Sequence, residues 1–386
     1  MSGERFSFLI NCLRFDDKET RLERKKADSF APIREIWDIF IAKCRNSYIP
    51  SSYLTIDEQL VGFRGRCPFR MYIPSKPCKY GIKIIMVCDS SSKYMLDASP
   101  YLGKSTKTNG LPLATYFVQE LTKSVHGSNR NITMDNWFTS VSLADCLLKD
   151  PYKLTLIGTL RKNKTEIPKE MLDITDRYPN TSMFCHDQMK TMVSYMPKRK
   201  KIVLLLSTLH EGVEISSIGK PAIIMNYNET KGGVDTFDQM CSNMNSGRKT
   251  RRWPMVIFYD MINIACINSY IIYCSNLVKL NKKPLSRYQY MIELSRCLAE
   301  TWLKERLNIK TLHSNIRQDI NDILNISVEN ETTEYQNKKR KICFYCPSNK
   351  RHMTTTYCNQ CKEAICGEHR GNNTVTHKID RTYRKS

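Results

Sequence analysis

Apolar positions along the chain follow two different periods. In "FSFLINCLRF" and "PIREIWDIFIAKCRNSY" they recur at three-and-four spacing, which predicts helices within the first 50 residues, with Pro32 at a helix start. The period then shortens. "YLTIDEQLVGFR", "GIKIIMVCDS", "NITMDNWF", "YKLTLIGTL", "KIVLLLST" and "PAIIMNYN" are short β-branched runs broken by Gly, Pro and Asn, and predict strands. "LPLATYFVQELTKSV" and "TSVSLADCLLKD" scan as helices between them. Strands interleaved with helices make an α/β domain over roughly 53–240, and its Lys- and Pro-rich stretch 162–221 is expected to be an insertion. Beyond 245, "WPMVIFYDMINIACINSYIIYCSNLVKL" predicts a buried helix broken near its middle. "SRYQYMIELSRCLAETWLKERLN" predicts an amphipathic helix capped by Ser286. "NISVENETTEYQNKKRK" has little that could pack and is expected to be a linker.

Charge narrows the class of partner. The 386 residues carry a formal net charge of +22, so the surface potential favours polyanions. No run looks long and apolar enough to cross a bilayer, and "MSGERFSFLINCLRF" lacks the pattern of a signal peptide. Nucleic acid is therefore the expected partner, with no membrane and no small-molecule substrate. Five of the 16 cysteines fall within residues 343–366, and the others are scattered, mostly in apolar company, as expected of buried free thiols in a reduced protein. The cluster reads Cys343-x2-Cys346, Cys358-x2-Cys361, Cys366-x2-His369, a spacing suited to tetrahedral Zn²⁺. Residues 338–386 hold twelve Lys or Arg against three acids, a net +9, so the tail is also a candidate DNA-binding module. The run "KKRK" at 338–341 has the character of a nuclear localisation signal.

The candidate chemistry centres on "KGGVDTFDQM", which sets Asp235 and Asp238 three residues apart behind a Gly-Gly pair. Asp57 in "LTIDEQ" and Asp135 in "NITMDNW" close apolar runs, and carboxylates gathered at strand ends suit a hard divalent cation, Mg²⁺ or Mn²⁺. Spacing alone leaves Asp89 in "MVCDSS" as an equal candidate. "GRKTRRW" follows directly, and Arg248, Lys249, Arg251 and Arg252 are placed to grip phosphate. Trp253 either stacks on an unpaired base or packs in the core, with nothing in the sequence to separate the two. The second basic run, "MPKRKK" at 196–201, is expected to be a solvated turn.

"LTIDEQLVGFRGRCPFRMYIPSKPCKYGIKI", "GSNRNITMDNWFTSVSLA", "KGGVDTFDQMCSNMNSGRKTRRWPM" and the cysteine tail resemble, in order, the piggyBac transposases. The resemblance covers nearly the whole chain. It implies a DDE/D recombinase with an α/β ribonuclease-H-like core that cuts and pastes DNA at TTAA sites through hairpin ends. The catalytic acids would be Asp57, Asp135 and Asp235 around Mg²⁺, with Asp238 close by, and Asp89 would be structural. The implied division is a helical dimerisation and DNA-binding remnant (1–52), core (53–161), insertion (162–221), core (222–244), more of the helical domain (245–323), linker (324–341) and zinc domain (342–386). Family members carry a long region ahead of the residue where this chain begins, so weakened dimerisation is expected, the family form being a nuclear homodimer. The family's zinc domain is cross-braced, which implies one ion at Cys343, Cys346, Cys366 and His369. A second would fall to Cys358 and Cys361, with His377 as a weak further ligand and His352 a lesser one. An alternative implied by the same features is a domesticated derivative that binds DNA without transposing it. An RNA nuclease on the same core is a third.

Overall fold

The computed structural model describes residues 1–74, 76, 78–326, 340–347 and 349–370. It divides into two units, Met1–Ile292 and Glu293–Ser386.

In the first unit, helices α1 (Gly3–Cys12), α2 (Arg21–Ala27) and α3 (Arg34–Asn46) precede the sheet. Ser2 caps α1 through a bond from the Arg5 amide, and α3 buries Trp37, Ile41 and Cys44 at three-and-four spacing. Nine strands then form one sheet: β1 (Tyr53–Gly62), β2 (Arg70–Tyr72), β3 (Tyr80–Asp89), β4 (Met95–Pro100), β5 (Asn131–Met134), β6 (Thr155–Thr159), β7 (Thr181–Asp187), β8 (Lys190–Lys198) and β9 (Lys201–Ser207). β4, β3 and β1 are an antiparallel meander, and β5 and β6 continue it parallel to β1. That order, 4-3-1-5-6, is ribonuclease-H-like. Helix α4 (Leu113–Leu121) connects β4 to β5, and α5 (Val141–Leu148), capped by Ser140, connects β5 to β6. The strands of the 162–221 stretch extend the same sheet, β9 pairing antiparallel with β6 and followed outward by β8 and β7. "MPKRKK" is the β8–β9 hairpin turn.

Helices α6 (Ala222–Thr230), α7 (Gly233–Asn243) and α8 (Trp253–Lys279) complete the unit's own elements. Two expectations are corrected here. "PAIIMNYN" is α6, not a strand. An eight-residue apolar run fits either element, and here the chain buries Ile223, Ile224 and Thr230 and packs Tyr227 at helical spacing. α8 is unbroken over 27 residues and is long and apolar enough to cross a membrane, where no such run was expected from the sequence. Its faces are core faces: Ile257, Ile264 and Ile267 are buried, and the buried Asn268 exchanges hydrogen bonds with the Met95 backbone at 3.0 and 2.9 Å.

α9 (Arg287–Leu307) begins with a reciprocal cap between Ser286 and Gln289 and buries none of its residues. α10 (Ser314–Leu324) follows it in the second unit. The tail carries a small antiparallel pair, β10 (Lys341–Ile342) and β11 (Met353–Thr354). Most of the expected linker, half of "KKRK" and His377 lie outside the described residues.

Candidate active site and zinc cluster

Strand register brings the first two acids together. β1 and β5 run parallel with Ile56 opposite Met134, so the next residues, Asp57 and Asp135, stand side by side where β5 ends. Asp57 is not at a strand end as the sequence suggested. It is the fifth residue of β1, still paired with Met86 of β3, and only its β5 neighbour has stopped.

The second pair arrives on α7, whose first turn rests on β1. Gly233 is what allows that approach: a Cβ there would lie 2.4 Å from Thr55 Oγ1. Thr55 is itself fixed by bonds to Ser90 Oγ at 2.8 Å and to the Thr230 carbonyl at 2.6 Å, which tie β1 to the end of α6. Asp235 and Asp238 lie one turn apart on α7, and Asp238 faces β1. Gln59, two residues beyond Asp57 on the same face of β1, donates to Asp238 Oδ1 at 2.9 Å. Asp235 remains 68% exposed and meets Lys76 Nζ at 3.8 Å, while the same ammonium bonds the Glu58 carbonyl at 3.3 Å.

The lysines beside these acids do not offset the burial of Asp57, Asp135 and Asp238. Burial, then the charge of Glu58, pushes Asp57 up to about 8, with Asp135 adding to it. Burial likewise raises Asp135 and Asp238. Burial and then Asp238 push Asp260 of α8 up to about 8, and its Oδ1 accepts from Gln59 at 3.3 Å. Tyr227 of α6 is raised by burial and by the charges of Asp135, Asp57 and Asp235, so its hydroxyl senses all three. Half-buried carboxylates destabilised by one another form a donor set that fits a divalent cation. Their oxygens are not gathered as closely as the tail's ligands: among the described residues, the groups of three or more ligand atoms within 4.8 Å of one another lie in the tail.

Sequence reasoning missed Gln59, Lys76, Tyr227 and Asp260. Gln59 and Lys76 carried a findable signal, alternation with Asp57 on β1 and a lysine in "IPSKPCK" that the β2–β3 hairpin folds back. Tyr227 was hidden by the strand assignment, and Asp260 by the apolar run around it. Asp89 is fully buried and accepts from the amides of Ser51, Ser91 and Ser92, a structural role.

The basic stretch does not act as one patch. Arg248 lines a cavity of about 450 Å³ with Asp238, Asp260 and Lys76. Arg252 is half-buried and donates to the carbonyls of Asn11 and Leu13. Trp253 is a correction to the DNA-stacking candidate: it is 7% exposed, with ring centroids 5.0 Å from Phe69 and 5.5 Å from Phe30, and belongs to the core.

In the tail, Cys343, Cys346, Cys366 and His369 converge. Sγ of Cys346 lies 3.6 Å from Sγ of Cys366, and His369 Nδ1 lies 3.3–3.7 Å from the three sulfurs. Ligands at about 2.3 Å from a tetrahedral zinc stand about 3.8 Å apart, so this is a site compatible with zinc. Cys358 and Cys361 lie outside the group, with Cys361 Sγ 3.7 Å from the Tyr345 hydroxyl. His352 stands beside the first cluster, 3.7 Å from Cys346 Sγ, not with Cys358 and Cys361.

A family model described as "Transposase IS4" matches residues 1–270. The structure of a piggyBac transposase synaptic complex with hairpin DNA is similar over 98% of this chain and 80% of that one, at 52% identity and a TM-score of 0.86. The human PiggyBac transposable element-derived protein 3 is 23% identical over 287 residues, 68% of this chain and 47% of the relative. A human chimeric ERCC6-PGBD3 protein matches equally, over 26% of its length, so the chain spans about half or less of these curated relatives. Fold and family model together put the chain in the DDE/D class of transposases. Within that class, it belongs to the piggyBac transposase family.

Proposed function

We propose that this chain hydrolyses and transfers DNA strands in a metal-dependent, cut-and-paste reaction at TTAA sites. The observation that carries the reading is the β1–β5 register that sets Asp57 beside Asp135, with the Asp235–Asp238 turn of α7 held against the same strand. Asp57, Asp135 and Asp235 would hold Mg²⁺ or Mn²⁺, and Asp238, restrained by Gln59, supports the shell. Bound there, such ions supply activation of a water or a 3′-hydroxyl and stabilise the leaving oxygen. The residues themselves fix the donor oxygens: the sheet orients Asp57 and Asp135, α7 carries Asp235, and Lys76 offsets charge at its rim. Arg248 would grip phosphate beside the acids, with Lys249 and Arg251 as further phosphate contacts away from them.

The related piggyBac transposase forms a synaptic complex with hairpin DNA, which supports hairpin DNA as the substrate here and an assembly of more than one copy, a homodimer. A nuclear site of action follows from that chemistry. A zinc ion at Cys343, Cys346, Cys366 and His369 would fold the tail as a DNA-binding module.

The test is cleavage of a duplex carrying element ends joined to TTAA, with Mg²⁺ and an Asp135→Asn control. Cleavage by the natural chain, abolished in the control, is expected. Binding without cleavage in both would move the chain to the alternative, a piggyBac-derived DNA-binding protein.

A further inference from the structure

α8 is apolar along most of its length, and Asp260 is the only acid among its 27 residues. Packing gives no reason for an acid there. The residue is buried, and burial and then the charge of Asp238 push its pKa up to about 8, with the Gln59 amide working the other way. A buried polar group of this kind destabilises a fold unless a hydrogen bond gives it a partner. Its neighbours along the helix, Ile257 and Ile264, are core residues and offer none.

The partner is Gln59 of β1. Its Nε2 donates to Asp260 Oδ1 at 3.3 Å and to Asp238 Oδ1 at 2.9 Å. An amide nitrogen carries two hydrogens, so each acid takes one and the donor is saturated. Nothing competes at the other end. Gln59 Oε1 and Asp260 Oδ2 are both buried without a hydrogen-bond partner among the described residues. The two aspartates therefore set the orientation of the amide between them. Close packing does not set it, because Gln59, Asp238 and Asp260 all border the cavity of about 450 Å³. Without Asp260, one buried N–H would be orphaned, and the amide would have room to turn into the cavity and away from Asp238.

We propose that Asp260 is a positioning residue for the carboxylate site: by sharing the Gln59 amide with Asp238, it fixes where the α7 turn bearing Asp235 and Asp238 stands against β1. The inference rests on the metal-dependent reading above, and it adds α8 to the elements that set the geometry of the acids. Gly233 seats the start of α7 on β1 at Thr55, and the amide holds the helix again at Asp238. Gln59 and Asp57 share one face of β1, so the same bridge ties both pairs of acids to one frame. Asp260 does this without adding much charge, since a carboxyl with a pKa of about 8 is mostly neutral at pH 7. An asparagine in its place would keep the accepting oxygen.

The experiment titrates the full chain with Mn²⁺ at pH 7 in two readouts. One is the rise in melting temperature, counted as the part lost in Asp135→Asn. The other is cleavage of the duplex carrying element ends. Asp260→Ala is expected to raise the half-saturating Mn²⁺ at least about tenfold in both, with duplex affinity unchanged. Asp260→Asn should restore it to near the natural value. Ile264→Val, a buried change one turn along α8, is the packing control. A rise there equal to that in Asp260→Ala would assign the effect to helix packing and overturn the inference. Gln59→Met removes the amide and should weaken Mn²⁺ binding at least as much as Asp260→Ala. The double variant should be no worse than Gln59→Met, because Asp260 acts through that amide. Additive losses would overturn the inference, as would unchanged half-saturation in Asp260→Ala. Unchanged half-saturation in Gln59→Met would do so whether or not Asp260→Ala folds. An Asp260→Asn as impaired as Asp260→Ala would make the carboxylate itself the requirement and overturn it too. Mn²⁺ that neither shifts the melting of the natural chain nor supports its cleavage would sink the metal-dependent reading as well.

Discussion

Asp57 is held half-buried between Glu58 and Asp135, and its raised pKa of about 8 has a consequence for stability. An acid whose folded pKa exceeds its unfolded value binds its proton more tightly when folded. Stability therefore falls as pH rises through the interval between the two, here roughly pH 4 to 8. Asp260, also near 8, adds to the same slope. The melting temperature without divalent cation should drop between pH 5 and 8, and Asp57→Asn and Asp260→Asn should each flatten that drop. Added Mn²⁺ should offset the Asp57 share and leave the Asp260 share, because Asp260 is 4% exposed and bonds within the protein through Gln59. A flat melting profile in the natural chain would refute the burial argument. Trp253 gives a separate test at this scale. Trp253→Ala should cost about 3–5 kcal/mol in chemical denaturation, since the ring packs edge-on to Phe69. A variant of unchanged stability that lost DNA affinity would restore the stacking role.

At the scale of elements, the join of α7 to β1 positions half the acids, and it depends on one missing side chain. Gly233→Ala would force a Cβ against Thr55, costing about 1–3 kcal/mol and shifting the turn that bears Asp235 and Asp238. Strand cleavage should fall far more than duplex binding. Gly3→Ala, at a helix position with nothing within 4 Å, should change neither. Equal loss of binding and cleavage in the first variant would show that Gly233 serves general stability. The "KGGVD" pair announced a turn in the sequence, but its reason, contact with a strand 178 residues earlier, could not be read locally. The same divide runs through the fold. β1, β3, β5 and β9 were legible because their β-branched runs are long or sharply bounded. β2 and β4 were not, being short and held mainly by pairing to β3. α6 was misread because its apolar run suits either period until packing chooses one. Asp57 and Asp135 were singled out as candidates through family resemblance, since spacing could not separate them from Asp89, whose oxygens serve backbone amides.

Over the whole molecule, the proposed function would divide the work of holding DNA between charge and the tail's metal cluster. The net charge of +22 comes from lysines and arginines on both units and does not need a folded tail to attract phosphate. On that proposal, discrimination between sequences would need one, because base edges are read only by side chains held in place. The tail's four-ligand cluster is its main organising feature among the described residues, with only two-residue strands around it. A module of that size depends on its metal to fold. The purified chain should carry close to one zinc, lost in Cys346→Ser, because Cys358 and Cys361 stand outside the four-ligand group. Stripping the zinc with a chelator should leave the melting of unit Met1–Ile292 in place, since its core holds no such cluster among the described residues. The same treatment should cut the preference for element ends over random duplex by about tenfold, with a smaller loss of salt-dependent binding to either. Equal losses on both DNAs would mean that the tail contributes charge alone. Two zinc ions per chain would mean that Cys358 and Cys361 complete a second site with ligands beyond the described residues.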